Sequence, residues 1–181
     1  MRPKNSALPE PITYATAESD LGQILVASSE KGVVSILIGG PGRTLLADLR
    51  RRFPDADISA GGARDQKLAR AVARHIKKPK GELDLTLDLR GTPFQQKVWQ
   101  ALLAIPAGKT SSYKEVARKI GSPRAIRAVG SACGTNNLAL AVPCHRVLHS
   151  DGSLSGGYFW GDARQAELLA REGVKTVGKT P

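Results

Sequence analysis

The chain has 181 residues, of which 41% are hydrophobic and 24% charged. These are the proportions of a globular protein long enough to bury a core, and they exclude a disordered or membrane-embedded chain. The formal net charge of +11, with a pI near 10.1, points to a polyanionic partner, nucleic acid first among them.

The opening stretch "MRPKNSALPEP" lacks the apolar core of a secretory leader, and runs such as "VVSILI" and "LALAV" are far shorter than the roughly 20 residues of a spanning helix. A cytoplasmic protein is expected. Its two cysteines, Cys133 and Cys144, are then expected as free thiols, because the cytosol keeps thiols reduced. The ligand pairs of a structural zinc site are missing, since His75, His149 and Cys133 are scattered. Charge is uneven along the chain. Residues 1–90 carry 15 basic and 11 acidic side chains, residues 91–181 carry 12 and 5, and Lys97 to Gly130 holds seven cations against Glu115.

In chain order, "GQILVASSEKGVVSILIGG" reads as two strands joined by a turn, a hairpin. Leu45, Leu46, Leu49 and Phe53 then share one helical face, and Leu68, Val72 and Ile76 share another that Pro79 closes. "LDLTLDL" alternates strictly, which predicts a strand with Leu83, Leu85, Leu87 and Leu89 on one side. Residues 1–90 are therefore expected to form a small α/β domain.

After Gly91 the pattern turns helical, and residues 91–181 read as a second domain. Thr92 and Pro93 fit the N-cap and first position of a helix burying Phe94, Val98, Ala101, Leu102 and Ile105. Ser112 and Glu115 predict a capping box for "YKEVARKI", with Gly121 as its stop. Ser122 and Pro123 are expected to open the next helix at once, giving a helix-turn-helix. Its second helix would bury Ile126 and Val129 and present Arg124, Ala125, Arg127 and Ala128 outward, a face suited to a DNA groove. An ordinary helical hairpin with a solvated arginine face is the alternative.

"LALAV" reads as a buried strand-like segment leading into Pro143, Cys144, His145 and Arg146. A histidine that takes a cysteine's proton makes it a useful nucleophile. Neighbours on an extended segment point to opposite faces, so Cys144 and His145 need a bend or a bridging water to communicate. The alternatives are a metal ligand and an inert core thiol beside a surface histidine. Further on, "GDARQAELLAREGV" predicts a helix with Asp162 at the N-cap, Gln165 three residues in and Glu172 in the last turn. There a carboxylate opposes the helix dipole and calls for a partner such as histidine.

"PCHRV", with "YKEVARKIGSPRAIRAVGSACGTN" before it and "LSGGYFWG" and "ELLAREG" after it, resembles the O6-alkylguanine-DNA alkyltransferases, or methylated-DNA–protein-cysteine methyltransferases. The resemblance spans Gly91 to Val174 and continues more loosely over residues 14–90, where it is closest to the Ada-type proteins. It implies a ribonuclease-H-like N-terminal domain, a winged helix-turn-helix in the second, and a monomer that takes duplex DNA containing O6-alkylguanine as substrate, with O4-alkylthymine as a second one. No cofactor, metal or membrane is implied. By position, Cys144 matches the alkyl acceptor, His145 the base acting through a water, and Glu172 the acid that orients it. Asn136 matches the hinge asparagine, Tyr113 the donor to N3 of the leaving guanine, and Arg127 the arginine that fills the base stack. Ser122, Arg124, Ala125 and Ala128 fall on the DNA-binding surface, and Val147, Ser155 and Tyr158 on the base pocket, where the carbonyls of Cys144 and Val147 would accept from the guanine amino group. The doubled glycine of Ser155-Gly156-Gly157-Tyr158 departs from the family's single one. A cysteine hydrolase using Cys144, His145 and Glu172, and a DNA-binding protein without catalysis, are the rival readings.

Overall fold

The computed structural model describes residues 8–177, so most of the stretch read for a leader lies outside it. Strands β1 (Glu10–Ala17), β2 (Gln23–Ser28) and β3 (Val33–Gly39) are followed by α1 (Gly42–Arg52), β4 (Ala56–Ala60) and α2 (Ala63–Lys77). The sheet order is β3-β2-β1-β4. The first three strands pair antiparallel, as the hairpin reading of β2 and β3 expects, and β4 adds parallel to β1. Strands β1 and β4 escape the sequence reading because both are half exposed, with no unbroken apolar alternation.

Strand β2 is buried on both faces because each face has its own cover. Leu25 and Ala27 join Ile12, Val34, Leu37, Leu45 and Leu49 under α1. Ile24 and Val26 face the other way and join Ala69, Val72 and Ile76 of α2, in a core that runs on without a break into the second half of the chain. That half contains α3 (Pro93–Leu103), the two-residue strand β5 (Ser111–Ser112), α4 (Tyr113–Lys119), α5 (Ile126–Gly134), the two-residue strand β6 (Val147–Leu148) and α6 (Asp162–Arg171). Helix α3 starts at Thr92, whose hydroxyl accepts from Gln95 while Gln95 reaches back to the Thr92 amide, and α4 starts on the same reciprocal box between Ser112 and Glu115. Trp99, which the apolar spacing of α3 did not single out, packs the helix onto α5 and donates from Nε1 to the Ala132 carbonyl at 2.9 Å.

Five expectations need correcting. The leucine run 83–89 is not a strand. It pairs with β3 through one bridge, Val33 with Leu87, because further along the same edge is taken by Leu138 bridging to Ile36. Two straps share one strand edge, which leaves neither room for a ladder but covers an edge that would otherwise be open to another chain. The leucines still turn inward and are partly buried.

"LALAV" is likewise not extended. Ala141 bonds back to Ala139, Val142 to Leu138 and Cys144 to Val142, a succession of tight turns that places Leu140 at φ 69°. The helix expected to open at Ser122 begins at Ile126. Gly121, at φ 75°, ends the preceding element, and residues 122–125 form a turn closed by the Ala125 amide on the Ser122 carbonyl at 2.9 Å. Arg124 and Ala125 therefore sit on the turn, and Ile126, expected inward, is 40% exposed. Asp162 is the first residue of α6 rather than its N-cap, which is Gly161; the Asp162 carboxylate instead accepts from the Tyr158 amide at 3.2 Å.

Candidate active site

Cys144 lies at the start of a 3₁₀ turn, Cys144–Arg146, entered through Pro143 at φ −80° and ψ 60°. This turn supplies the bend that an adjacent cysteine and histidine require. The thiol is 5% exposed and accepts from the Asn136 side-chain amide at 3.2 Å. That amide also donates to the Val142 carbonyl at 2.9 Å, and its oxygen accepts from the Leu138 amide at 2.8 Å. One buried side chain at the end of α5 thus ties the tight turns and the thiol together. Burial pushes the Cys144 pKa up to about 11, against the lowering effect of the Asn136 bond, so at rest the group is a thiol. Cys133 is also buried and free, and burial pushes its thiol up further.

His145 is 1% exposed, and its Nε2 lies 2.9 Å from Glu172 Oε1. The same carboxylate receives a two-pronged bond from Arg146, Nε to Oε2 at 3.0 Å and Nη2 to Oε1 at 2.8 Å, while Arg146 Nη1 donates to the Ile105 carbonyl at 2.6 Å. Burial works to raise the Glu172 pKa, but the bonds from His145 and Arg146 overcome it and hold the group at about 2. Burial lowers the His145 pKa, with Glu172 opposing and Arg146 assisting. The histidine is therefore neutral at pH 7. An ionised Glu172 can only accept, so the ring proton sits on Nε2 and leaves Nδ1 as a bare acceptor; Nδ1 has no partner among the described residues. A buried neutral imidazole with a free lone pair, on the residue next to a thiol, has the chemistry of a general base. Arg146 escaped the sequence reading, although a cation beside a buried "CH" pair is itself a signal that an anion must come to meet it.

An open cavity of about 440 Å³ lies between α4, α5 and the loop before α6, with Tyr113, Ile126, Arg127, Gly130 and Ser155 in its walls. Cys144 is not in the wall, but a thiolate there would act on Tyr113. Burial first, then the negative charge that Cys133 or Cys144 would carry, raises the Tyr113 pKa to about 12. Ser155 donates its hydroxyl to Gln165 Oε1 at 2.9 Å, and Gln165 Nε2 bonds the carbonyls of His145 and Val147, each at 3.2 Å. Gln165, read from the sequence as a cap, is therefore a buried clamp between the loop and the turn that carries the thiol. Tyr158 is buried, and its hydroxyl has no partner among the described residues. Arg124, Arg127 and Ala128 are exposed on one side of the cavity mouth, with Ser122 and Ala125 half-buried beside them. Among the described residues no group of three or more His, Cys, Asp or Glu is placed to hold a metal ion, and no helix is long and apolar enough to cross a membrane.

The profile of the 6-O-methylguanine DNA methyltransferase DNA-binding domain matches residues 93–174. The chain is 48% identical over 161 residues to the bifunctional transcriptional activator/DNA repair enzyme Ada of Escherichia coli, a match covering 89% of this chain and 45% of that protein. It thus spans about half the length of the Ada proteins it matches. Against the methylated-DNA–protein-cysteine methyltransferase of Methanosarcina barkeri it is 41% identical over 147 residues, 79% of this chain and 86% of the relative. The crystal structure of Mycobacterium tuberculosis OGT in complex with DNA superposes with a TM-score of 0.74 at 36% identity, covering 88% of this chain and 92% of that one. With a buried thiol beside a histidine–glutamate pair and this similarity over most of its length, the chain belongs to the methylated-DNA–protein-cysteine methyltransferase family.

Proposed function

We propose that the chain repairs O6-alkylguanine, and O4-alkylthymine as a second substrate, in duplex DNA by moving the alkyl group irreversibly onto Cys144. The observation that carries this is the buried Cys144 thiol, held at 3.2 Å by Asn136 beside a neutral His145 whose Nδ1 is free. The exposed face of Arg124, Arg127 and Ala128, with Ser122 and Ala125 on the turn before it, lies against the duplex as the reading head of a winged helix-turn-helix. The short β5–β6 pair forms the base of the wing. Arg127 takes the place of the damaged nucleotide, which rotates into the cavity at a cost of a few kcal/mol recovered in pocket contacts. Val147, Ser155 and Tyr158 enclose the base. The Val147 carbonyl already accepts from Gln165, so it meets the guanine amino group with its second lone pair.

In the chemical step the Cys144 proton passes through a water to His145 Nδ1, with Glu172 stabilising the imidazolium. The thiolate forms a bond to the alkyl carbon as the carbon–O6 bond breaks, and the electron pair stays with guanine. Tyr113 stays protonated far above neutral pH and donates to N3, which makes guanine the better leaving group. The product is a thioether, which water does not cleave, so each molecule acts once and needs no cofactor. The same reading assigns residues 1–90 to a ribonuclease-H-like domain and 91–181 to the transferring one, in a monomeric cytoplasmic protein.

Incubating the protein with excess duplex carrying O6-methylguanine is expected to give repair that stops at one equivalent, with the added mass on Cys144 rather than Cys133. Continued turnover, or an adduct elsewhere, overturns the reading. The cations of α4, α5 and the turn between them carry a second expectation. Affinity for duplex should fall linearly with salt on logarithmic axes, with a slope of about 0.9 for each phosphate neutralised, and Arg124→Ala should reduce that slope by about one. Salt-insensitive binding would remove α5 as the DNA face.

A further inference from the structure

The loop from Ser153 to Gly161 places Ser155 and Gly157 in the cavity wall and then the buried Tyr158, across a Gly156-Gly157 pair that no side chain stiffens, with Gly156 at φ 66°. Helix α6 holds the loop at two points, Gln165 on Ser155 and Asp162 on the Tyr158 amide. A third hold comes from the opposite half of the molecule. Arg52, the last residue of α1, places its guanidinium 4.7 Å from the centre of the Phe159 ring. Its Nε donates to Asp48 at 2.9 Å and its Nη1 donates to the side-chain oxygen of Asn137. The side chain is only 15% exposed, although it is an arginine at a helix end. Phe159 is half exposed, packs edge-on against Trp160, and has the Arg52 guanidinium over its face.

Both contacts fall one residue from the site. Phe159 follows Tyr158, and Asn137 follows the Asn136 that holds the thiol. Asn137 is itself tied to the sheet through its carbonyl, which accepts from the Ile36 amide at 2.8 Å and the Ser35 hydroxyl at 3.2 Å. Beside Phe159, Arg164 donates to the Trp160 carbonyl at 2.8 Å and to the Leu21 carbonyl at 2.7 Å, a second link from loop to sheet half. The sheet half is therefore linked to the loop at two consecutive residues, directly through Arg52 and by way of Arg164, and Arg52 also joins the loop to the segment bearing the thiol.

We propose that Arg52 is a positioning residue which, through Phe159 and Asn137, fixes the distance between the Tyr158 loop and the Cys144 turn, and so sets the width of the alkyl end of the site. The inference rests on the alkyl-transfer reading above. With Arg52 in place the gap is held at one width. Without it the glycine pair lets the loop move outward, which admits bulkier alkyl groups while a methyl group loses its alignment with the sulfur.

The test compares wild type, Arg52→Ala, Arg52→Lys and Phe159→Leu. Single-turnover rate constants are measured on matched duplexes carrying O6-methylguanine or O6-benzylguanine, together with the Kd for unmodified duplex. Arg52→Ala and Phe159→Leu should each slow methyl transfer about three- to tenfold, the range of a partly buried cation–aromatic contact, and slow benzyl transfer less, so that the benzyl-to-methyl ratio rises. DNA affinity should stay within about twofold, as for substitutions away from the DNA face. Arg52→Lys keeps a cation over the ring and should return the ratio most of the way to wild type. Equal slowing of both alkyl groups overturns the proposal, as does a shifted ratio in Arg52→Ala with none in Phe159→Leu. Should Arg52→Ala fail to fold, Phe159→Leu probes the same loop contact without touching α1. A wild-type protein that transfers neither group overturns the functional reading instead, a result distinct from an unchanged ratio.

Discussion

Cys144→Ser is expected to abolish alkyl transfer, by roughly four orders of magnitude or more, while duplex affinity stays within about twofold. A hydroxyl is far less acidic than a thiol, and His145 cannot make up the difference within its own pKa range. The replacement is otherwise gentle: serine is nearly the same size, and its oxygen can still accept from the Asn136 amide that now holds the sulfur. Single-turnover repair and a gel-shift titration on the same preparation check both halves. A protein whose only activity is DNA binding would lose nothing measurable, and retained transfer would move the acceptor to Cys133.

The second large effect belongs to Arg146. Arg146→Met removes both prongs on Glu172 and the bond to the Ile105 carbonyl from a site 5% exposed. Breaking one partner out of a buried ion pair typically costs about 3–5 kcal/mol, which chemical denaturation would register. The change in pH dependence is more diagnostic. In the intact cluster the Arg146 charge helps burial to hold the His145 pKa down, against Glu172. Without Arg146 that assistance is lost and Glu172 still acts, so the imidazole keeps its proton to higher pH. The neutral form is the base. Transfer by the variant should therefore be depressed most near pH 6 and recover toward pH 8, whereas the wild-type rate stays level through neutrality. A uniform loss at every pH would mean that Arg146 serves folding alone.

The parts legible from the sequence are those in which one residue type has one local use. One capping box, an N-cap threonine, a proline at the first helical position and a glycine at a helix end could be read because side chain and backbone satisfy each other within four residues. The hairpin of β2 and β3 was legible for the same reason. What failed depended on distant competition. The leucine run has a strand's alternation but not its ladder, since the Leu138 segment, some 50 residues later in the chain, occupies the rest of the β3 edge. "LALAV" has an apolar strand's composition, yet its backbone is spent on turns that deliver Cys144 into a helical core. At the site, Cys144, His145 and Glu172 could be proposed from chemistry and resemblance. Gln165 and Arg146 could not, because each works through partners that only the folded chain brings near: Gln165 through two carbonyls of the thiol's turn and the Ser155 hydroxyl, Arg146 through Glu172 and the Ile105 carbonyl.

The unbroken core that joins sheet and helices also bears on how such a protein comes apart. Ile24, Val26 and Ile36 of the sheet and Val98, Leu102, Val129 and Val142 of the helical half share one apolar interior, with Cys144 among them. Cutting the chain between the halves would expose two greasy surfaces rather than release two finished bodies, and heat should melt both in a single cooperative step. The Cys144 sulfur is thus embedded in the common interior of the molecule rather than mounted on a detachable part.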